Sequence, residues 1–377
     1  VRIFYDLDKQ FSAIAVVGIG DECLSYNETE QIDEWKEAIR LASATGCRAL
    51  QDLYIRTIFV ESFGHAESSA EGCGMGVWMY QELKNQEKQK NVPRLELYDV
   101  RSKEWAKLMG FNAYLAAAKG SCEPPVFLEA VYYGCEPDVA PIVLVGKGVT
   151  FDSGGLCRKD YQEMQHMRGD MAGAACVVAT CRAVAALQLP INLRCLIPLL
   201  ESLPGPCAMK PGDIVRAKNG KSTLIETTDF DGRLGLADAF CYASNYNPKV
   251  VVSVATMRPE MRQTLGIAAT GVFSNNDVLY EQMRVASIHT GDRSVDVGNC
   301  CRILAAPCAA AAFLREFLPP CDWLHMDTYS VNMTEGDTVS YLRRGMTGRP
   351  TRTLIEFLAQ FACKSNAAES GQQAPAS

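Results

Sequence analysis

The sequence is poor in features that mark several function classes. It has 4 histidines, at 65, 166, 289 and 325, and no pair has His-x-x-x-His spacing, which argues against a histidine-built zinc site. Among 16 cysteines there is no Cys-x-x-Cys, so a zinc-ribbon or thioredoxin-type motif is absent. Basic charge is not in excess: Lys+Arg 37 stands against Asp+Glu 44, a net charge of -7. That balance argues against general nucleic-acid binding through a basic face and leaves only a local patch open. Long apolar runs are lacking too. The longest weakly polar stretch, 300–314, contains Arg302 and falls short of the ~18 residues of a membrane span, so no transmembrane helix and no membrane partner are expected.

What is present is an ordinary folding composition. With 377 residues, 48% hydrophobic and 21% charged, the chain suffices for two or three domains with cores of their own. Many cysteines lie in apolar contexts, such as Cys176-Val177-Val178 and Phe240-Cys241-Tyr242. These read as reduced core thiols and favour a reducing compartment, cytoplasmic or mitochondrial. The first residue is Val1, so the start of the gene product is expected to be missing and any targeting segment is not visible.

Apolar patterning predicts α/β organisation. A buried strand is expected at 13–18, helices at 28–45 and 69–83, then a charged, proline-stopped stretch at 84–93 that suggests a boundary. The division is therefore 1–97 as an N-terminal α/β domain, 98–364 as a C-terminal domain and 365–377 as a disordered tail. In the second domain, strands at 126–133, 142–145, 192–199 and 250–255 alternate with helices at 173–187 and 234–244, and a last helix is expected at 351–362. Asn219-Gly220 marks a hairpin, since type I′ turns need positive φ at both central positions.

The densest chemical signal follows the strand at 142–145: Lys147-Gly148-Val149-Thr150-Phe151-Asp152-Ser153-Gly154-Gly155. It is not a phosphate loop, because the Gly-x-x-x-x-Gly-Lys-Ser/Thr spacing is absent, and Gly18-Ile19-Gly20 lacks the third glycine of a dinucleotide fingerprint. Asp170 within Met167-Arg168-Gly169-Asp170-Met171-Ala172-Gly173, and Asp229 and Asp231 within Thr228-Asp229-Phe230-Asp231-Gly232-Arg233, also lie at strand ends or helix starts, where an α/β sheet presents its ligand site. Converging carboxylates repel one another unless cations bind them, and paired ions are a standard means of activating water for hydrolysis.

These three motifs, with the stretches from Ala117, Lys210 and Gly345, resemble the leucyl (cytosol) aminopeptidase family of dinuclear metal exopeptidases. The resemblance implies two domains, each a mixed, mostly parallel sheet flanked by helices, with peptides as substrates. Lys147, Asp152, Asp170, Asp229 and Asp231 would surround two divalent ions, zinc or manganese, with Asp152 and Asp231 bridging and Lys147 neutral. Lys159 would polarise the scissile carbonyl, and Arg233 would hold a bicarbonate that acts as general base. The competing reading makes Lys159 and Arg233 surface salt-bridge residues. Met167, Thr256 and Met257 would contact substrate. A homohexamer of two stacked trimers is implied as well.

Three departures from the family pattern converge on that site. Asp231 stands where the family has Glu, which retracts the carboxylate by about 1.5 Å, and Phe230 replaces a small residue. The substrate loop reads Thr256-Met257-Arg258-Pro259-Glu260 in place of Thr-Leu-Thr-Gly-Ala, with proline for glycine and two added charges. The chain is also shorter than the family pattern. Two readings follow: an aminopeptidase with an eroded site and weak or absent activity, or a non-catalytic paralogue kept for its assembly, as in sperm.

Overall fold

The computed structural model describes the chain outside residues 9–10, 21–23, 29–30, 54–57, 59, 61–64, 78–97, 298–305, 335–341, 343 and 371–377. It divides into two units: one of Val1–Arg94, Ser287–Arg293 and Thr334–Thr347, the other of Leu95–Ala286, Ser294–Met333 and Gly348–Ser377. The boundary stretch read at 84–93 lies outside the described residues.

In the first unit, β1 (Arg2–Asp8) and β2 (Phe11–Val16) form an antiparallel hairpin, and β3 (Tyr26–Asn27) pairs with β4 (Ile32–Asp33) in the same sense. Among the described residues these short antiparallel pairs stand where a second mostly parallel sheet was expected. The strand anticipated as buried is only partly so: β2 pairs with β1, α1 packs on it, and Ala13–Ala15 are half-buried while Val16 is 53% exposed. Helix α1 (Glu34–Asp52) begins six residues later than the 28–45 pattern suggested, where the Asp33 side chain accepts the Lys36 amide at 3.1 Å. Glu34 and Glu37 in the first turn complement the helix dipole. Helix α2 (Ala66–Val77) starts earlier than expected, at an N-terminus closed by His65 Nδ1, which accepts the Ser68 amide at 3.2 Å.

The second unit begins with β5 (Tyr98–Arg101), α3 (Lys103–Leu108), α4 (Asn112–Ala117), β6 (Val126–Tyr133), β7 (Ile142–Gly146) and β8 (Gly148–Asp152). There follow α5 (Tyr161–Met164), α6 (Ala172–Ala186), β9 (Asn192–Ser202), β10 (Ile214–Arg216), β11 (Ser222–Leu224), α7 (Gly232–Ala243) and β12 (Val250–Ala255). The remaining elements of this unit are α8 (Glu260–Leu265), β13 (Thr270–Ser274), α9 (Asp277–Thr290) up to Ala286, β14 (Ser294–Asp296), α10 (Ala306–Arg315), β15 (Asp322–Asp327) and α11 (Thr351–Ser370); β16 (Met333–Thr334) is divided between the units and β17 (Gly345–Met346) belongs to the first. Asn219-Gly220 closes the β10–β11 hairpin, with Gly220 at φ +86°.

A nine-stranded mixed sheet runs β14-β13-β15-β12-β7-β9-β6-β5, with β8 also paired to β9. Parallel ladders join β7, β8, β9, β12 and β15, whereas β5, β6 and the β13–β15 ladder are antiparallel. β7 and β12 are buried along their whole length, as strands covered on both faces must be. One face carries α4 and α7 with Phe111, Tyr114, Phe127 and Phe240, the other α6 and α11 with Val177, Leu354 and Phe357. Met167–Ala186 is long and apolar enough to cross a membrane by composition, longer than the 300–314 run; here it buries Cys176, Val177, Cys181 and Val184 against the sheet. α11 continues to Ser370, past the expected end at 362, so 365–370 are helical and not an unfolded tail.

Candidate metal and active site

The site grows from a break in the sheet. β7 and β8 both pair with β9, and Lys147 lies between them. Its amide leaves β9 to bond Val254 O of β12 at 3.0 Å, while its carbonyl receives the Ala174 amide at 2.8 Å. This turns the Lys147 side chain into the cleft at the carboxyl ends of the parallel strands, where open α/β sheets bind ligands. The glycines around it are packing requirements: a Cβ on Gly173 would stand 2.1 Å from Val254 O, and one on Gly232 2.1 Å from Lys147 Cε. After Asp152 the chain turns through Gly154 at φ +83° and Gly155 at φ +66°, and the Gly154 amide donates to Asp152 Oδ1 at 2.8 Å. Thr228 fastens this turn to the next motif by donating to Gly154 O at 2.7 Å and accepting the Cys157 amide at 2.8 Å. A 3-10 turn at Met167–Met171 presents Asp170 just before α6, and another at Thr228–Phe230 presents Asp229 before α7.

Two buried lysines sit among the carboxylates. Lys147 Nζ is 2.8 Å from Asp170 Oδ1 and 2.8 Å from Thr256 O, and Thr256 Oγ1 donates to the same Asp170 oxygen at 2.5 Å. Lys159 Nζ lies 2.7 Å from Asp229 Oδ1, 3.6 Å from Asp152 Oδ2 and 3.8 Å from Glu163 Oε1. Burial alone would lower the Lys159 pKa, but the Asp152 and Asp229 carboxylates outweigh it and hold the ammonium above its ordinary range. With a side chain only 7% exposed, Lys159 is not a surface salt-bridge residue. Asp152 is pushed up to about 6, by burial first and then by Asp170. Asp231 rises well above the carboxylate range through burial and the nearby Asp152, and its Oδ2 accepts the Ser202 hydroxyl.

Lys147, Asp152, Lys159, Met167, Asp170, Asp229, Arg233, Thr256 and Met257 all line one cleft of about 380 Å³. Asp231 is the exception: it faces a neighbouring cleft of about 510 Å³ that also borders Phe230, Arg233 and Phe313. Arg233 is half-buried, and burial followed by repulsion from Arg258 brings its pKa down to about 10. The three unusual residues at the cleft mouth form one packed group. The Phe230 ring lies 4.7 Å from the Arg233 guanidinium carbon and 4.1 Å from that of Arg258, which is in turn held by Glu260 at 2.8 and 3.1 Å.

Residues 76–355 match the model of the cytosol aminopeptidase family, catalytic domain, and residues 1–87 match that family's N-terminal domain. The chain belongs to the cytosol aminopeptidase family. Cytosol aminopeptidase of Sus scrofa is 41% identical over 433 residues, covering 96% of this chain and 83% of that protein, and the Homo sapiens protein is 40% identical over 432 residues with the same coverage. Those aligned spans exceed the 377 residues of this chain, so both relatives carry internal segments that it lacks. Among solved structures, the bottromycin maturation enzyme BotP in complex with Mn superposes with a TM-score of 0.80 at 26% identity, over 96% of this chain and 93% of that one. Cytosol aminopeptidase from Coxiella burnetii gives 0.65 at 28% identity, over 70% and 61%. Membership in an aminopeptidase family places this chain's function in the peptidase class.

The donor set fits the divalent metals of a cytosol aminopeptidase in kind. Asp170 Oδ2, Asp231 Oδ1 and Asp327 Oδ2 are buried carboxylate oxygens with no hydrogen-bond partner, an expensive arrangement unless a cation or proton satisfies them. In spacing the fit is looser: no group of three or more His, Cys, Asp or Glu close enough to hold an ion occurs among the described residues, and the two lysines stand between the carboxylates. Asp327 was not singled out in the sequence. It ends β15, is pushed up to about 7 by burial, and accepts the Tyr329 and Met257 amides at 3.0 and 3.3 Å. Its signal was available, an aspartate closing the apolar run of β15, the same placement as Asp152. Ser202 carried no such signal; it reaches Asp231 because it ends β9 opposite Asp152.

Proposed function

We propose that this chain is a metal-dependent aminopeptidase with a weakened dinuclear centre, releasing N-terminal residues from peptides slowly. The observation that carries this reading is the cleft in which Asp152, Asp170 and Asp229 surround two buried lysines, Lys147 and Lys159, with an unpartnered carboxylate oxygen left on Asp170. Lys147, Asp152, Asp170, Asp229 and Asp231 would hold two divalent ions, zinc or manganese, which when bound supply Lewis acidity and activate water. Lys159, kept charged by Asp152 and Asp229, can donate to the oxygen of the scissile carbonyl as it gains negative charge. Arg233, in the same cleft, would hold an anion such as bicarbonate, which when bound would supply a general base. Met167, Thr256 and Met257 form the wall against which the N-terminal residue packs. Arg258 and Pro259 border the same cleft, so preference departs from plain leucine specificity.

A non-catalytic role in assembly, as a homohexamer of two stacked trimers and for example in sperm, is the second reading. It is favoured by the state of Asp231, whose Oδ2 is already taken up by the Ser202 hydroxyl. The cytosolic names of the relatives support a cytoplasmic location, with the mitochondrion as alternative. The readings separate on hydrolysis of leucine amide with manganese or zinc added. Metal-dependent turnover that Lys159→Met lowers by at least tenfold supports the enzyme, and no turnover at any metal concentration from a folded protein refutes it.

A further inference from the structure

Cys47 on α1 and Cys73 on α2 lie outside everything described so far. The two helices pass close together because Gly72 has no side chain: a Cβ there would stand 2.2 Å from the Arg40 carbonyl oxygen. Around this contact Arg40 Nε donates to Glu71 Oε2 at 2.6 Å, the hydroxyls of Ser43 and Ser69 pair at 3.0 Å, and the thiol of Cys47 hydrogen-bonds that of Cys73. We propose that Cys47 and Cys73 form a reversible disulfide that staples α1 to α2, with Cys73 as the thiol that reacts first with a low-molecular-weight disulfide.

The order of reaction follows from the environment. Cys73 is half-buried and Cys47 only 4% exposed, so an oxidant meets Cys73 first. The hydrogen bond from Cys47 also brings the Cys73 pKa down to about 7, while that bond and burial push Cys47 up. Cys73 is thus the readier of the two to form the thiolate that attacks disulfides. With oxidised glutathione, the Cys73 thiolate forms a bond to one glutathione sulfur and expels the other as a thiolate. Cys47 then loses its proton to that base or to water, attacks the Cys73 sulfur and expels the second glutathione. Two protein thiols are oxidised, and one glutathione disulfide is reduced to two thiols. A second hydrogen-bonded pair, Cys181 on α6 and Cys195 on β9, provides an internal control, since both are at most 3% exposed and are closed to oxidant.

The test uses the full chain incubated with oxidised glutathione, then iodoacetamide, trypsin and mass spectrometry. The expected result is peptide 41–48 linked to 57–84 with two hydrogens lost, while 169–182 and 195–216 are recovered unlinked. In Cys47→Ser, Cys73 should instead retain glutathione. Recovery of 41–48 and 57–84 both alkylated, or persistent glutathione on Cys73 while Cys47 is present, would overturn the proposal. Linkage of 169–182 to 195–216 would overturn the access argument behind it.

Discussion

Asp231→Glu probes the weakest point of the candidate centre. An aspartate carboxylate stops about 1.5 Å, one C–C bond, short of a glutamate's, whereas credible ligand distances hold within about 0.2 Å. The backbone has little freedom to make up the difference. Gly232 packs against Lys147, where an added Cβ would stand 2.1 Å from Cε, and the Asp231 carbonyl accepts the Leu234 amide at 2.8 Å. With Oδ2 occupied by Ser202 and Oδ1 unpartnered, side-chain length sets the reach. Residues that merely orient a metal ligand are worth 10–100-fold in affinity or activity, and a ligand itself is worth no less. Asp231→Glu should therefore tighten the weaker manganese site by at least tenfold, about 1.4 kcal/mol, and raise kcat/KM for leucine amide by a similar factor. Without metal the extra methylene should cost about 1–3 kcal/mol of stability, and manganese at 100 times its Kd should restore about 2.7 kcal/mol. Calorimetric titration, thermal unfolding and amide hydrolysis on one preparation read all three. A folded variant with unchanged manganese affinity and unchanged rate would refute the reasoning.

Three further outcomes follow from the geometry. Burial holds His325 down at about 3; because the folded pKa lies below the ordinary 6.5, stability is complete above pH 6.5 and lost as pH falls toward 3, by about 2 kcal/mol at pH 5. His325→Phe should flatten that dependence in urea titrations at pH 7 and 5, and an unchanged slope would assign it to other groups. The contact between Phe230 and Arg258 should give a coupling of about 0.5–2 kcal/mol in a double-mutant cycle of Phe230→Ala and Arg258→Thr; strictly additive losses would count against it. Gly173→Ala forces a Cβ against Val254 O and should cost about 1–3 kcal/mol, whereas a neutral result would mean that α6 shifts freely on β12.

Local sequence was most informative where one residue's neighbours in the chain are also its neighbours in space. The runs 142–146 and 250–255 declare fully buried strands by unbroken apolarity, and Asn219-Gly220 declares its hairpin by the φ values it tolerates. The glycines flanking Lys147 and Asp231 stood out because chain segments approach within a Cβ of one another there. Hydrophobicity alone misread 13–18, since it does not reveal that β2 belongs to a two-stranded hairpin whose residues are only half-buried. It also ended α11 too early, because the polar residues after 362 extend a helix already anchored by Leu354, Phe357 and Leu358. The stack of Phe230 on Arg258, the Ser202 bond to Asp231 and the orphan oxygen of Asp327 join residues distant in sequence. Those contacts exist only once the sheet order is set.

In the proposed centre, Lys147, Asp152, Asp170, Asp229 and Asp231 would hold divalent metal, and that metal would drive release of N-terminal residues. Elemental mass spectrometry on protein dialysed against trace manganese and zinc, with leucine-amide hydrolysis on the same sample, tests it most directly. The expected result is bound metal that Asp170→Asn with Asp229→Asn removes, and turnover that rises with occupancy. Metal no higher than in that double variant, with no turnover from a folded protein, would contradict it.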